Sequence, residues 1–487
     1  MAVPLRLQFQ PRRWLALCVA LSLLVTAASA GNARPGNRYP IILLHGFSGW
    51  GRDEFAGIKY WGGFHGDWQE QLKQQGFDVR TAAVGPFSSN WDRACELYAY
   101  IKGGTVNYGA NHARVHGHNV TGRTYPGIFP EWGEVIDGQV QKVHIVGHSM
   151  GGQTARMLAQ LLEDGGRHAP IAEDPSSHEL FAGGKQWIHS ITTVATPNQG
   201  TLLADGFDTF GDLGENLIAV VVASLHALGG DLAKFYDLKL DQWGLAPRRK
   251  NESLRDYAKR AFNSAALRNA GRDLCAFSLS TAGAKEDSTW VKTLPSVYYY
   301  SITNYDSFRL GAIELPRPQS MLPTLQPISV FLGSTFALKR GFSREWQTND
   351  GVVNLPSMLY DGRSEVVEGV GDSQPGRWHH VALLKAVDHE AIRGVKPFVN
   401  VIGVYAAQFG VLYELPTTTY GARRLRGVVD AHRHSDEALR RLSDAVQQVN
   451  AMSDLAIECA SPRDDASRVR CEQEQQRVAQ LQGADRV

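Results

Sequence analysis

The chain of 487 residues is expected to fold as an α/β protein, with a mostly parallel central sheet and helices on both faces. Three observations predict this. Short apolar, β-branched runs alternate along the chain with stretches of helical pattern. The run 143–146 leads directly into Gly147-His148-Ser149-Met150-Gly151, and a helical pattern follows at once. The run 39–44 ends at His45-Gly46-Phe47, a glycine turn at the tip of an early buried strand.

Gly-x-Ser-x-Gly between a strand and a helix is the pattern of a nucleophile elbow, in which the Ser sits on a sharp, strained turn. Gly147 and Gly151 lack a Cβ, so strand and helix can pass close to one another. The Met150 N–H, at the positive end of the helix, then faces an oxyanion forming on a substrate. The plainer reading is an ordinary strand-to-helix turn with a buried Ser. The strand before it, and Gly152, Ala155, Met157 and Leu158 after it, favour the elbow and with it the α/β-hydrolase fold. That fold places its second oxyanion donor just after an early strand, which makes the Phe47 N–H the candidate; a Gly-rich turn without function is the alternative.

At the start of the chain, Arg6, Arg12 and Arg13 precede an apolar run from Trp14 to about Ala28, and Ala28-Ser29-Ala30 supplies small residues for cleavage. Residues 1–30 therefore read as a secretory signal peptide, with an uncleaved anchor as the alternative, and a secreted protein is expected. Removing them takes away three Arg and no acid, so the formal charge goes from +1 to −2. Nothing in that balance points to nucleic acid or an anionic membrane, and no later stretch is long enough to span one. Residues 31–420 are expected to hold one large domain, although two smaller domains would also fit the length.

Within it, 67–75, 92–102 and the elbow helix to about Glu163 read as helices. The stretches 39–44, 77–83, 189–194 and 296–303 read as strands. Residues 103–132, rich in Gly, His and Tyr, show no clean period and are expected to be an inserted loop region. Residues 205–236 include Leu217, Ile218, Val220, Val221, Val222, Leu225 and Leu228, apolar nearly all round. Such a helix is either core or a lid over a lipid-binding pocket. Residues 421–487 shift to Arg, Asp, Gln and Ala and read as an exposed helical tail. There Cys459 and Cys471 can close a small disulfide loop, or stay free.

A serine nucleophile needs a base, and the base needs an acid to hold its tautomer. The order in this fold is Ser, acid, His. Downstream histidines are His379, His380, His389, His432 and His434, the last two in the polar tail. Asp306, just past a strand, is the generic acid, and Asp350, in an Asn-Asp-Gly turn, is its rival. Spacing does not separate them, and either could be a turn or capping residue.

Longer stretches carry a resemblance: PIILLHGFSGWGRDEFAGIKYWGG, VGPFSSNWDRACELY, GGTVNYGANHARVHGH, GRTYPG, GHSMGGQTARML, FYDLKLDQWGL, NDGVVN and VDH. Running from about Pro40 to past His389, they resemble the secreted lipases of staphylococci and thermophilic bacilli. The resemblance implies Ser149 as nucleophile, Asp350 as acid, His389 as base, and Phe47 and Met150 as oxyanion donors. It also implies a structural zinc on Asp92, His112, His118 and Asp273; two imidazoles and two carboxylates close a tetrahedral shell with no open position. Cys95 and Cys275, each near a proposed ligand, could share in the metal or pair as a disulfide. Relatives with a calcium site carry Glu two residues after the catalytic His and Asp seven after it. Here these positions hold Ala391 and Lys396, so no calcium site is expected.

The expected activity is hydrolysis of triacylglycerols at an oil–water interface. A phospholipase or short-chain carboxylesterase would use the same machinery. Outside that class stand a zinc-stabilised binding protein whose hydrolase site has decayed, and a metal-dependent hydrolase.

Overall fold

Seven strands, each short and rich in β-branched or aromatic residues, form one sheet. They are β1 (Ile41–Leu44), β2 (Val79–Ala82), β3 (Val143–His148), β4 (Ile188–Val194), β5 (Tyr298–Tyr305), β6 (Val366–Glu368) and β7 (Trp378–Lys385). Their spatial order is β6-β7-β5-β4-β3-β1-β2. Every neighbouring pair is parallel, so the sheet is parallel throughout. This computed structural model describes residues 36–206, 236–249, 251–396, 399–417 and 431–460, with 469 and 471. The expected signal peptide, residues 207–235 of the expected lid and most of the tail outside 431–460 lie outside the described residues.

Parallel sheets bury both faces, and alternate residues of one strand serve two cores. Ile41 and Leu43 join Val146, Val194, Tyr300 and Ile302 on one side. That side is covered by helix α3 (Ile402–Glu414), through Val404, Tyr405, Phe409 and Leu412. Ile42 and Leu44 join Ile145, Ile191 and Tyr299 on the other. There helices α1 (Asn90–Lys102) and α2 (Met150–Asp164) pack, through Ala94, Leu97, Tyr98, Ala155, Leu158 and Leu161. Helix α1 starts where the Ser89 side chain accepts from the Asp92 N–H, and stops at Gly103, whose φ of 97° suits glycine.

The strand order sets the site. From β1 the chain goes outward to β2 on one flank and returns to β3 on the other. The crevice at the carboxyl ends of strands on either side of such a reversal is where ligands enter open α/β sheets. Leu44 is in register with Ala82 and Gly147, so β1 and β3 end side by side. The loop 45–50 and the turn at Ser149 therefore share one edge of the sheet.

Three expectations change. Residues 103–132 are not an irregular loop: strands Gly104–Asn107 and Thr121–Tyr125 form an antiparallel hairpin around helix Ala110–His116. Both strands are largely exposed, so no alternation of apolar and polar residues marked them. The tail is not simply exposed: helix α4 (Asp436–Ala460) buries Ala438, Leu442 and Val449 in the same core as α3. Cys95 and Cys275 are both free and buried. The disulfide considered for them is therefore not formed. Cys459 and Cys471 are joined by a disulfide, as was open to them.

The junction of β3 and α2 tolerates no side chain. A Cβ on Gly147 would lie 2.5 Å from the Gly151 carbonyl carbon, and one on Gly151 would lie 2.6 Å from the Leu44 oxygen. Gly151→Ala is expected to cost about 1–3 kcal/mol by overpacking against backbone. Urea unfolding checks this, and an unchanged midpoint would contradict the close passage.

Candidate active site and metal centre

Ser149 lies at the sharp turn between β3 and α2, with φ 54° and ψ −131°. Such values are costly for a residue with a side chain and persist only where the surroundings enforce them. Here the Ser149 N–H donates to the Val194 oxygen at 2.8 Å, pinning the turn to β4. The early Gly-rich turn reaches the same point: a Cβ on Gly46 would sit 2.6 Å from the Ser149 Cβ. Phe47 follows Gly46 directly, and Met150 opens α2. Among the described residues neither backbone N–H has an acceptor.

Of the rival acids, the structure brings Asp350 to His389. Asp350 sits in a tight turn closed by a bridge between Asn349 and Asn354. Its Oδ1 accepts from the N–H groups of Val352 and Val353 at 2.9 and 2.7 Å, while Oδ2 lies 2.6 Å from His389 Nδ1. The His389 N–H also donates to the Asp350 carbonyl at 2.9 Å. A carboxylate only accepts, so Nδ1 carries the hydrogen and Nε2 keeps its lone pair. Burial pulls the His389 imidazole down, but the Asp350 charge and hydrogen bond outweigh it and hold it above the ordinary histidine value.

The other candidates have different partners. Asp306 accepts from Ser320 and faces the Lys396 ammonium at 3.7 Å. Burial and the Asp388 charge push its carboxyl up to about 8. His379 and His380 lie on β7, with His380 between Thr303 and Glu368. His432 and His434 belong to the start of the tail.

Sequence reasoning missed the network that ties these parts together. The Gly46 N–H donates to the Tyr60 hydroxyl at 3.1 Å, and that hydroxyl donates to His148 Nδ1 at 2.6 Å. His148 Nε2 then donates to the His389 carbonyl at 3.1 Å. Burial keeps His148 well below the usual histidine value, consistent with this neutral form. Arg93, fully buried on α1, grips the same region from the other side. It donates to the carbonyls of His45 and Gly85 at 2.7 and 2.8 Å and to the Thr154 hydroxyl at 2.9 Å. Its sequence setting, directly after Asp92 and three residues before Glu96, gave no signal of this role.

Asp92, His112, His118 and Asp273 each bring a ligand atom within 4.8 Å of the others. His112 Nε2 is 3.3 Å from Asp92 Oδ1 and 3.0 Å from Asp273 Oδ1, and His118 Nε2 is 3.1 Å from Asp273 Oδ2. Asp92 Oδ1, His118 Nε2 and Asp273 Oδ2 are buried without a hydrogen bond. His118 Nδ1 donates to the Asn119 carbonyl at 2.8 Å, which leaves Nε2 free to ligate, a usual support for a metal-bound imidazole. Burial and the Asp273 charge raise the Asp92 carboxyl. Burial pulls His112 down, but the Asp273 charge and the hydrogen bonds to both carboxylates push it up to about 10. Two carboxylates in so dry a place call for a cation, and this donor set fits one.

The profile of the lipase-like, C-terminal domain family matches residues 37–401. The chain belongs to this family. It is 33% identical over 380 residues to Lipase 2 of Staphylococcus aureus, covering 76% of this chain and 52% of that protein. It is 34% identical over 359 residues to Lipase 1 of the same species, covering 72% and 50%. The chain thus spans about half the length of these relatives. Among solved structures, EstA from Clostridium botulinum matches at 39% identity and TM-score 0.72, covering 80% of this chain and 91% of that one. Lipase 1 from Pelosinus fermentans matches at 43% and 0.69, covering 78% and 100%, and Staphylococcus hyicus lipase at 30% and 0.60, covering 75% and 92%.

Within this lipase-like domain, Ala391 is fully buried, and Lys396 places its ammonium 2.9 Å from Asp388 Oδ2. A side-chain cation thus sits beside Asp388, with the Asp306 carboxyl 3.7 Å from it.

The two buried carboxylates of the Asp92 cluster give a test. Stripping metal with a chelator is expected to lower the thermal midpoint by several degrees, and zinc to restore it. Calorimetry before and after chelation checks this; equal midpoints would count against a metal in the cluster.

Proposed function

We propose that this chain is an exported serine ester hydrolase that cleaves triacylglycerols. One observation carries the reading: Asp350 holds His389 by a 2.6 Å hydrogen bond, and His389 is tethered through His148 to the strained turn at Ser149. The names of the relatives, lipases and an esterase among them, point the same way. No described helix is long and apolar enough to cross a membrane. The apolar stretch 205–236 and the pattern of residues 1–30 agree with an exported enzyme that opens onto lipid.

Ser149 Oγ attacks the ester carbonyl while His389 Nε2 takes its proton. Asp350 keeps the imidazole in the tautomer that can accept and stabilises the imidazolium that forms. The tetrahedral oxyanion is held by the N–H groups of Phe47 and Met150, the latter at the positive end of α2. His389 then protonates the leaving alcohol, and water frees the acyl group with the same base. Zinc on Asp92, His112, His118 and Asp273 would be structural, with all four positions taken by protein. Those residues join α1, the hairpin region and the segment at Asp273. Calcium is not part of this reading.

Ser149→Ala is expected to stay folded and lose activity by a factor on the order of 10⁴ or more. Hydrolysis of a long-chain triacylglycerol emulsion beside a soluble short-chain ester tests both parts. Turnover in the variant would defeat the mechanism, whereas cleavage of the soluble ester alone by the native enzyme would leave an esterase.

The pH profile follows from His389. Its neutral form accepts the proton, so kcat/KM is expected to fall about tenfold per pH unit below its raised pKa. Asp350→Asn removes the charge that raises it, so the acid limb should move to lower pH while kcat falls by about 10⁴. An acid limb that stays in place would remove Asp350 from its role.

A further inference from the structure

A second group of metal-donor side chains lies away from Ser149 and from the Asp92 cluster, and all three of its members fall outside the region that the family profile matches. Glu414, His432 and His434 each bring a ligand atom within 4.8 Å of the other two. Glu414 is the last residue of α3. His432 begins the short strand His432–Arg433, which pairs antiparallel with Asp372–Ser373. His434 stands two residues before α4. The three donors therefore join the hydrolase body to the start of the tail helix.

The hydrogen bonds around His434 set its chemistry. The Tyr300 hydroxyl donates to Ser373 Oγ at 2.9 Å, and the Ser373 hydroxyl hydrogen points to the Val370 carbonyl at 3.4 Å. Ser373 Oγ is thus an acceptor toward His434 Nε2, 2.8 Å away, and Nε2 carries the hydrogen. That leaves the lone pair on Nδ1. Nδ1 is buried, makes no hydrogen bond and faces Glu414 Oε2 at 3.4 Å. The carboxylate is itself held in place by the Ser435 N–H at 2.8 Å and by the Ser435 hydroxyl. Two acceptors facing each other across so short a gap repel unless a cation lies between them. A proton would serve a pair, but here a third donor is present: the His432 ring stands edge-on to His434 with centroids 4.7 Å apart. Two imidazoles and one carboxylate are a ligand set for a borderline divalent ion, and a hydrogen bond on the far ring nitrogen is how proteins orient a ligating imidazole.

We propose that Glu414, His432 and His434 Nδ1 bind a second zinc ion, with water completing the shell, and that this ion clasps α4 to the hydrolase body.

The test uses the full chain, stripped of metal and reloaded with zinc alone. Bound zinc is counted by elemental analysis for the native protein, for His432→Ala and for Glu414→Gln. Each variant is expected to hold one zinc fewer per chain than the native protein while keeping its ester hydrolysis, which shows that it is folded. In parallel, hydrogen exchange over residues 436–460 is expected to slow at least tenfold on adding zinc to the native chain, and not in the variants. Equal zinc content in native and variant proteins would overturn the proposal. So would zinc-independent exchange of α4 in the native chain, a readout that stands even if a variant fails to fold. Neither depends on the Asp92 cluster, whose contribution is common to all three proteins.

Discussion

A Ser with φ near 54° cannot hold that conformation alone; it is forced by the close passage of β3, α2 and the end of β1. Three backbones meet there with only glycine between them, at Gly46, Gly147 and Gly151. Everything else at the site is measured from that crossing. It fixes the turn at Ser149 and brings the turn after β1 within contact of it. The parallel sheet makes the crossing possible, because β1 and β3 are neighbours in register although far apart in sequence.

His389 arrives from a third place and is held from both ends. Its ring is fixed by Asp350, whose other oxygen is fastened by two backbone N–H groups of its own turn. Its backbone is fastened to His148, and through Tyr60 to the Gly46 turn. Ser149, His389 and the turn at Gly46 thus share one hydrogen-bonded frame, and under the proposed function that frame is the preorganisation on which electrostatic catalysis relies. Arg93 adds a buried guanidinium to the frame. Burial lowers it to about 10, and the carbonyls of His45 and Gly85 supply the acceptors that its desolvated charge requires.

Buried carboxylates elsewhere obey the same rule by different means. Asp306 and Asp388 receive the Lys396 ammonium. Asp92 and Asp273 face two imidazoles in a donor set that suits a metal ion. Glu414, only partly buried, faces His434 at the root of α4. In each case a carboxyl group is set against a cation or against donor atoms from another segment of the chain.

What could be read in the residues was local. The elbow shows in sequence because strand, turn and helix are consecutive and the turn demands glycine at fixed offsets. The first strand with its His-Gly, the core helices and most strands show for the same reason: burial on both faces leaves unbroken apolar runs. The hairpin around Ala110–His116 did not show, because its exposed strands carry no period. Nor did the docking of α4, whose buried stripe of Ala438, Leu442 and Val449 is diluted by charge on its other faces. Spacing left Asp306 and Asp350 equal, and the contacts separate them: one faces Lys396, the other His389. By itself the sequence determined the elbow, the core strands and the residue types on offer. Only the tertiary structure showed the contact by which Asp350, already implied by the resemblance, meets His389, and that His148, Tyr60 and Arg93 frame the site. The reason is that ion pairs and hydrogen bonds between strand ends depend on the order of strands in the sheet, which no local pattern records.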